Sequence, residues 1–192
     1  MSDDRLDYEA QYSKGDTPWD SGVASAELVR VLDAGLLPGV TALEIGCGTG
    51  TNAIELARRG YRVTAADFVE LAVKSARAKA RRSRVTIDFR VGDVTEMDLG
   101  GPYDVLFDRG VYHHIRTVNL RGFLKMLERV TRRGTRWLSL AGNANEPTKD
   151  GPPSCTRTSS APNWERSSRS STRGSSGSRR IGAGSARSRG PS

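Results

Sequence analysis

The stretch "LEIGCGTG", Leu43 to Gly50, decides the fold. Its glycines stand at alternate positions, directly after the apolar run "VTALEIG". That run has the length and branched content of a buried parallel strand. A chain leaving such a strand must turn sharply into a helix. Gly46, Gly48 and Gly50 permit positive φ and carry no Cβ that would block a ligand. The following helix, from about Gly50 to Arg59, points its amino end at the same place and favours an anionic or carboxylate group there.

The alternation continues outward. "ASAELVRVLDAGLLPG" predicts a helix from about Gly22 to Ala34, before the strand. After it, "TNAIELARRG" reads as a helix closed by Gly60 and "YRVTAAD" as a strand. "VELAVKSARAKARR" is a helix; "VTIDFRVGD" and "PYDVLFDRG" are strands. "LRGFLKMLERVTRRG" is a helix closed by Gly134, and "TRWLSLAG" is a fifth strand. This order implies an α/β fold, a doubly wound, Rossmann-like and mostly parallel sheet. Ligands of such sheets bind at the carboxyl edge of the strands.

A length of 192 residues suits one domain. Residues 1–21 form a polar segment with Tyr8, Tyr12 and Trp19, placed to cover the site. Residues 22–150 form the domain proper, and 151–192 a Ser/Arg/Gly-rich tail. The net charge of +8 belongs to that tail: Ser154 to Ser192 holds eight arginines and one glutamate, so the rest is near neutral. The tail lacks Leu, Val, Phe, Met and Tyr, and is expected to be disordered. No apolar run is long enough to span a membrane. The acidic start "MSDDRLDYEA" reads as neither a secretory signal nor a transit peptide. Cys47 and Cys155 have no metal spacing, which suits a reducing cytoplasm.

The glycine spacing discriminates between ligands. A dinucleotide fingerprint needs a third glycine at position 51, where Thr51 stands. The pattern present, Glu44-x-Gly46-x-Gly48-x-Gly50, resembles motif I of the class I S-adenosylmethionine-dependent methyltransferases. The resemblance implies a loop that holds the methionine part of S-adenosyl-L-methionine. Asp67 ends the second strand and takes the position that accepts from both ribose hydroxyls in that family. Asp93 in "VGDV" takes the position that accepts from the adenine amino group, and the Val94 N–H reaches a ring nitrogen. Asp108 in "FDRGVYHHI" takes the position beside the methionine group and the transferable methyl. Each aspartate alone is equally a strand-end cap or turn former. Four matches at successive strand ends, in order, carry the resemblance.

"YSKGDTPWDSG" together with "FDRGVYHHI" looks like the small-molecule branch that includes thiopurine and tellurite-resistance methyltransferases. That branch implies a Pro-Trp segment over the cofactor, so Trp19 is a cofactor-covering candidate or else a surface anchor. The implied acceptor is a small-molecule thiol, oxyanion, hydroxyl or amine. An anionic thiolate needs no general base, whereas a hydroxyl or amine does. His113 and His114, the only histidines, lie past the fourth strand and are the candidate bases; both could instead pack the next helix. Arg109 could hold an anionic substrate or a surface partner, and Tyr112 could line the pocket or the core. Cys47 sits near a helix amino end that would lower a thiol pKa, yet packing under the loop is the expected role. The basic run Arg77 to Arg84 reads as a solvated helix end.

Such domains normally continue past the fifth strand with a helix and an antiparallel strand pair, which "SCTRTSS…" cannot supply. Ser, Arg, Gly, Ala and Pro without Lys are what a G+C-rich gene yields out of frame. One coding of "PSCTRTSS", read one base earlier, gives VVHEDEL. A reading-frame shift near 151–154 is therefore expected. Two rivals stand beside the active enzyme: an S-adenosylmethionine-binding domain with impaired catalysis, and a methyltransferase whose basic tail binds nucleic acid through phosphate charge.

Overall fold

The computed structural model describes residues 3–141. The elements are α1 (Asp3–Lys14), α2 (Ala26–Asp33), β1 (Thr41–Ile45), α3 (Thr51–Arg58), β2 (Arg62–Asp67), α4 (Glu70–Arg82), β3 (Ile87–Val91), β4 (Val105–Arg109), α5 (Tyr112–Val118), α6 (Leu120–Val130) and β5 (Arg136–Leu140). The sheet runs β3-β2-β1-β4-β5 with every pairing parallel. The order reverses between β1 and β4, so a crevice opens beyond their carboxyl ends, as the sequence implied.

Side-chain alternation along the strands feeds two cores. Ala42, Val63, Ala65, Val105 and Phe107 pack with α2, α3 and α4 through Leu28, Ile54 and Val73. Leu43, Ile45, Ala66 and Leu106 pack on the opposite face with α6 through Phe123, Met126 and Val130. β1 is the centre of both, with Ala42, Leu43 and Ile45 fully buried. Burying a side chain of Leu or Ile size contributes about 1.5–3 kcal/mol. These two layers anchor the strand ends that form the site.

Local features differ from the sequence expectation, among them an added helix, α5, between β4 and α6. The helix expected from Gly22 starts at Ala26, because residues 20–25 are held in turns: Gly22 N–H donates to Asp20 Oδ1 (3.2 Å), and Ser25 N–H to Asn52 Oδ1 (2.8 Å). The helix expected to reach Gly134 stops at Val130. Thr131 turns extended, and residues 132–135 form a turn closed by Thr135 N–H to Arg132 O (3.0 Å). Residues 3–14, expected only as a polar segment, are helical. The expected tail at 151–192, and the frame shift assigned to it, lie outside the described residues.

Candidate functional site

A cleft of about 770 Å³ lies at the carboxyl edge of the sheet, walled by the glycine loop, the ends of β2 to β4, and α1. Its floor is the turn from β1 to α3. Gly46 has φ +67°, and a Cβ there would come within 2.1 Å of Val111 Cγ2. Gly48 has φ +51°, and a Cβ there would come within 2.8 Å of the Tyr12 hydroxyl. Both positions therefore need glycine for backbone conformation and for space. The loop is pinned from β2: Ala66 O accepts from Gly46 N–H (2.8 Å) and Cys47 N–H (3.0 Å).

Asp67 extends the same clamp. Its Oδ2 accepts from Gly48 N–H (2.8 Å) and its Oδ1 from Val69 N–H (2.9 Å). Burial pushes this carboxyl up, against the backbone N–H groups of Val69, Gly48 and Phe68. Asp93 Oδ1 accepts from the Thr95 N–H (2.9 Å) and hydroxyl (2.7 Å), and Asp93 and Val94 wall the cleft beside Asp67. The Asn119 amide, between α5 and α6, donates to Thr95 Oγ1 (3.1 Å) and ties that wall to α5.

An aromatic roof closes the opposite side. Tyr8 meets Trp19, Phe68 and His114 edge to face at 5.4, 5.9 and 6.0 Å. Trp19 Nε1 donates to the Tyr12 hydroxyl (3.2 Å), which burial holds well above the usual phenol range. Next to Trp19, Asp20 accepts from Thr49 Oγ1 (2.5 Å) on the glycine loop and pairs with Lys79 of α4 at 3.6 Å. The segment 18–20 is thus latched to the floor.

The sequence-predicted residues separate into two groups. Trp19, Gly46, Gly48, Asp67, Asp93, Val94, His113 and His114 all wall the cleft, as does Arg109. Glu44, Gly50 and Asp108 stand behind it. Glu44 is buried between β1 and α3 with the Asn52 side chain and the Ala53 N–H; burial pushes its carboxyl up to about 8, aided by Asp67 and Asp108. Gly50 packs toward Ala76 and Phe89. Asp108 is fully buried: Oδ1 accepts from Tyr112 N–H (3.0 Å) and Oδ2 from Trp137 Nε1 (2.9 Å), so it positions the turn into α5. Tyr112 packs in the core against Phe123 and Trp137.

His113 is buried, and its Nδ1 has no hydrogen-bond partner among the described residues. Burial lowers its pKa, helped by His114 and Arg116, which keeps the imidazole neutral. Burial, with Glu44 and Asp67, drives the Cys47 thiol well up, which outweighs any lowering by the α3 amino end. The run 77–84 is more than a solvated end: Arg77 donates to Phe89 O (2.7 Å), and Lys79 reaches the latch. Tyr8 and Tyr12 were expected within the covering segment without a role for either ring, and both wall the cleft. Their i, i+4 spacing was the available signal, since it puts both rings on one helix face.

The cleft fits S-adenosylmethionine on the donor set alone. It offers a Cβ-free floor, the amino end of α3, and two strand-end aspartates, Asp67 and Asp93, in its wall. No group of three or more His, Cys, Asp or Glu among the described residues could hold a metal.

Comparison with known proteins points the same way. Residues 42–134 match the family model of a methyltransferase domain. A 2-heptyl-1-hydroxyquinolin-4(1H)-one methyltransferase from Mycobacteroides abscessus is 25% identical over 139 residues, 70% of this chain and 61% of that protein. A structure of the 1,6-didemethyltoxoflavin-N1-methyltransferase of Burkholderia thailandensis, with 1,6-didemethyltoxoflavin and S-adenosylhomocysteine bound, superposes with TM-score 0.62. It is 25% identical, over 73% of this chain and 62% of that one. A structure described as "Conversion of a Disulfide Bond into a Thioacetal Group during Echinomycin Biosynthesis" is 32% identical with TM-score 0.59, over 65% of this chain and 53% of that one. The chain spans less than two thirds of the length of the curated relatives it matches. Its described part has the class I S-adenosylmethionine-dependent methyltransferase fold. No helix among the described residues is long and apolar enough to cross a membrane.

Proposed function

We propose that the chain transfers a methyl group from S-adenosyl-L-methionine to a small-molecule oxygen, nitrogen or sulfur nucleophile. One observation carries the reading: Gly48 N–H grips Asp67 across two adjacent strand ends, with Asp93 and Val94 in the same cleft. Gly46 and Gly48 would bed the methionine part, Asp67 the ribose, and Asp93 with Val94 the adenine. When bound, the cofactor supplies an electrophilic methyl carbon. The chain's own task is to bring the acceptor into line and exclude water. The roof of Tyr8, Tyr12 and Trp19 supports exclusion of water, and the Pro18–Trp19 segment over the cleft supports the small-molecule branch.

His113 is the candidate base. It lines the cleft, its pKa is lowered, and its buried Nδ1 has no partner among the described residues, so the imidazole can accept the proton that a hydroxyl or amine acceptor loses. His114, held against Tyr8, belongs to the acceptor's wall. Two of the relatives carry a planar heteroaromatic compound in their names, a hydroxyquinolone and a toxoflavin precursor, and an edge-to-face aromatic wall suits such an acceptor.

The test is calorimetric titration with S-adenosylhomocysteine, followed by turnover on a panel of aromatic hydroxyl, amine and thiol acceptors. Saturable 1:1 binding lost in D67N supports the reading; heat signals unchanged by D67N would overturn it. Binding without turnover on any acceptor favours the impaired-domain rival. The cytoplasmic setting and the shifted frame at 151–154 belong to the same proposal. Sequencing of independently prepared DNA decides the frame: an intact one sinks that part.

A further inference from the structure

A second cleft, of about 540 Å³, opens on the outer side of the glycine loop between α2, α3 and α4. Its polar wall holds three cations, Arg58, Lys79 and Arg82, together with Ser83. One carboxylate, Glu55, also faces it, and this is already committed to Arg59 at 2.9 Å. Arg58 donates to Ser83 Oγ (3.2 Å), and neither Arg58 nor Arg82 has an acidic partner within 4.0 Å among the described residues. Two guanidinium charges therefore meet in one concavity without neutralisation. The remaining wall is apolar, through Val23, Val29 and Ile54.

The two clefts share Val23 and Thr51, and the latch stands between them. Asp20 faces the cofactor cleft, Lys79 faces the outer one, and Lys79 Nζ bonds Thr49 Oγ1 and pairs with Asp20 (3.6 Å). Through its pair with Asp20, Lys79 joins the outer charges to the segment that carries Trp19.

We propose that the outer cleft binds a phosphorylated small molecule of at least two negative charges with a compact apolar body, and that its occupancy loosens the roof of the cofactor cleft. Arg58 and Arg82 hold the phosphate, whose geometry matches a guanidinium fork. Its remaining charge draws Lys79 from Asp20, and Asp20 then holds Thr49 without its counter-ion. The apolar body covers Val29 and Ile54. Ligand and cofactor thereby oppose each other, by the same factor in both directions. The opposition rests on the methyltransferase reading above; the binding of the anion does not.

The experiment uses the full chain at fixed ionic strength, because the tail arginines also attract anions. Phenyl phosphate and inorganic phosphate are titrated calorimetrically into the parent and into R58Q/R82Q, without cofactor. The expected result is 1:1 binding of phenyl phosphate to the parent, tighter than inorganic phosphate and at least tenfold weaker in the variant. Equal binding by parent and variant, or no preference for the phenyl ester, overturns the site. Saturating phenyl phosphate should then weaken S-adenosylhomocysteine binding threefold or more in the parent and leave R58Q/R82Q unchanged. An unchanged cofactor affinity in the parent overturns the opposition. Failure of S-adenosylhomocysteine to bind the phosphate-free parent would refute the methyltransferase reading instead, with the direct titration still deciding the anion site. Thermal unfolding of R58Q/R82Q at the parent's midpoint shows that lost binding is not lost folding.

Discussion

Replacing Glu44 by glutamine tests the electrostatics beneath the glycine loop. Glu44 is 2% exposed, and its carboxyl is pushed up to about 8 from an ordinary 4.5, burial being the largest cause. Below pH 4.5 both folded and unfolded chains hold this proton. Above it the unfolded chain releases the proton while the folded chain keeps it, so stability falls as pH rises until the folded group also ionises near 8. Each unit costs about 1.4 kcal/mol, so roughly 5 kcal/mol is lost across the window and roughly 3 kcal/mol of it is gone by pH 7. Glutamine has nearly the same shape, keeps an oxygen for the Asn52 amide and Ala53 N–H, and does not titrate. Its amide nitrogen takes the place of Oε2, which has no partner among the described residues either.

Urea unfolding of parent and E44Q, from pH 4.5 to 8.5, reads the difference directly. The two should be of similar stability near pH 4.5 and separate by about 1.4 kcal/mol per unit, with E44Q the more stable at pH 8. Asp67 and Asp108 are also raised by burial, so E44Q keeps a residual fall with pH; the difference curve isolates Glu44. Parallel curves would refute the claim that a neutral, buried carboxyl supports this loop.

Gly46→Ala should cost about 2–4 kcal/mol in urea unfolding, from the left-handed backbone and from the clash with Val111. Adding V111A should recover the steric part and leave the backbone part; no recovery would contradict the packing assigned to Gly46. Asp108→Asn turns an amide N–H toward either Tyr112 N–H or Trp137 Nε1–H, at a cost of about 1–3 kcal/mol by thermal or urea unfolding, and shifts tryptophan fluorescence. His113→Gln should lower kcat about a hundredfold for hydroxyl acceptors and little for thiols assayed above their pKa. Because burial lowers the His113 pKa, the parent's acidic limb should fall below the pH of ordinary imidazole titration, and the limb should vanish in the variant.

The fold was legible because its signal is redundant. Each strand of "VTALEIG", "YRVTAAD" and "PYDVLFDRG" is a short apolar run stopped by a turn residue, and each is followed by or linked through a helix with its own apolar stripe. α1 was not legible, since "DDRLDYEAQYSK" has no apolar stripe and its two useful rings face a cleft made by residues far along the chain. α5 was missed because its start is set from a distance, by Asp108 accepting from Tyr112 N–H. At the site, sequence found which strand ends carry carboxylates but not which way they face. Alternation sends Ala42 to one core and Leu43 to the other, and it carries Asp108, inside β4, to the Leu106 face, but Asp67 is the last residue of β2, where the following turn sets direction. Asp67 is turned outward by Gly48 and Val69, whereas Asp108 is turned inward by Trp137, a contact across 29 residues.

Those orientations place three buried carboxylates on neighbouring strands, Asp67 on β2 in the cleft wall and Glu44 on β1 and Asp108 on β4 behind it. All three are raised, first by burial, and Glu44 also by the other two. A cation in the cleft relieves this repulsion, and a neutral molecule of the same shape does not. S-adenosylmethionine carries a sulfonium that S-adenosylhomocysteine lacks, so the substrate form should gain on the product form as Glu44 ionises near pH 8. The ratio of the two dissociation constants, measured at pH 6 and pH 8.5, should shift toward S-adenosylmethionine by several-fold at the higher pH. In E44Q the shift should shrink, because the Glu44 charge no longer forms. A ratio independent of pH in the parent would mean that the sulfonium does not sense these groups, and the cleft's acidity would then serve only to clamp the loop.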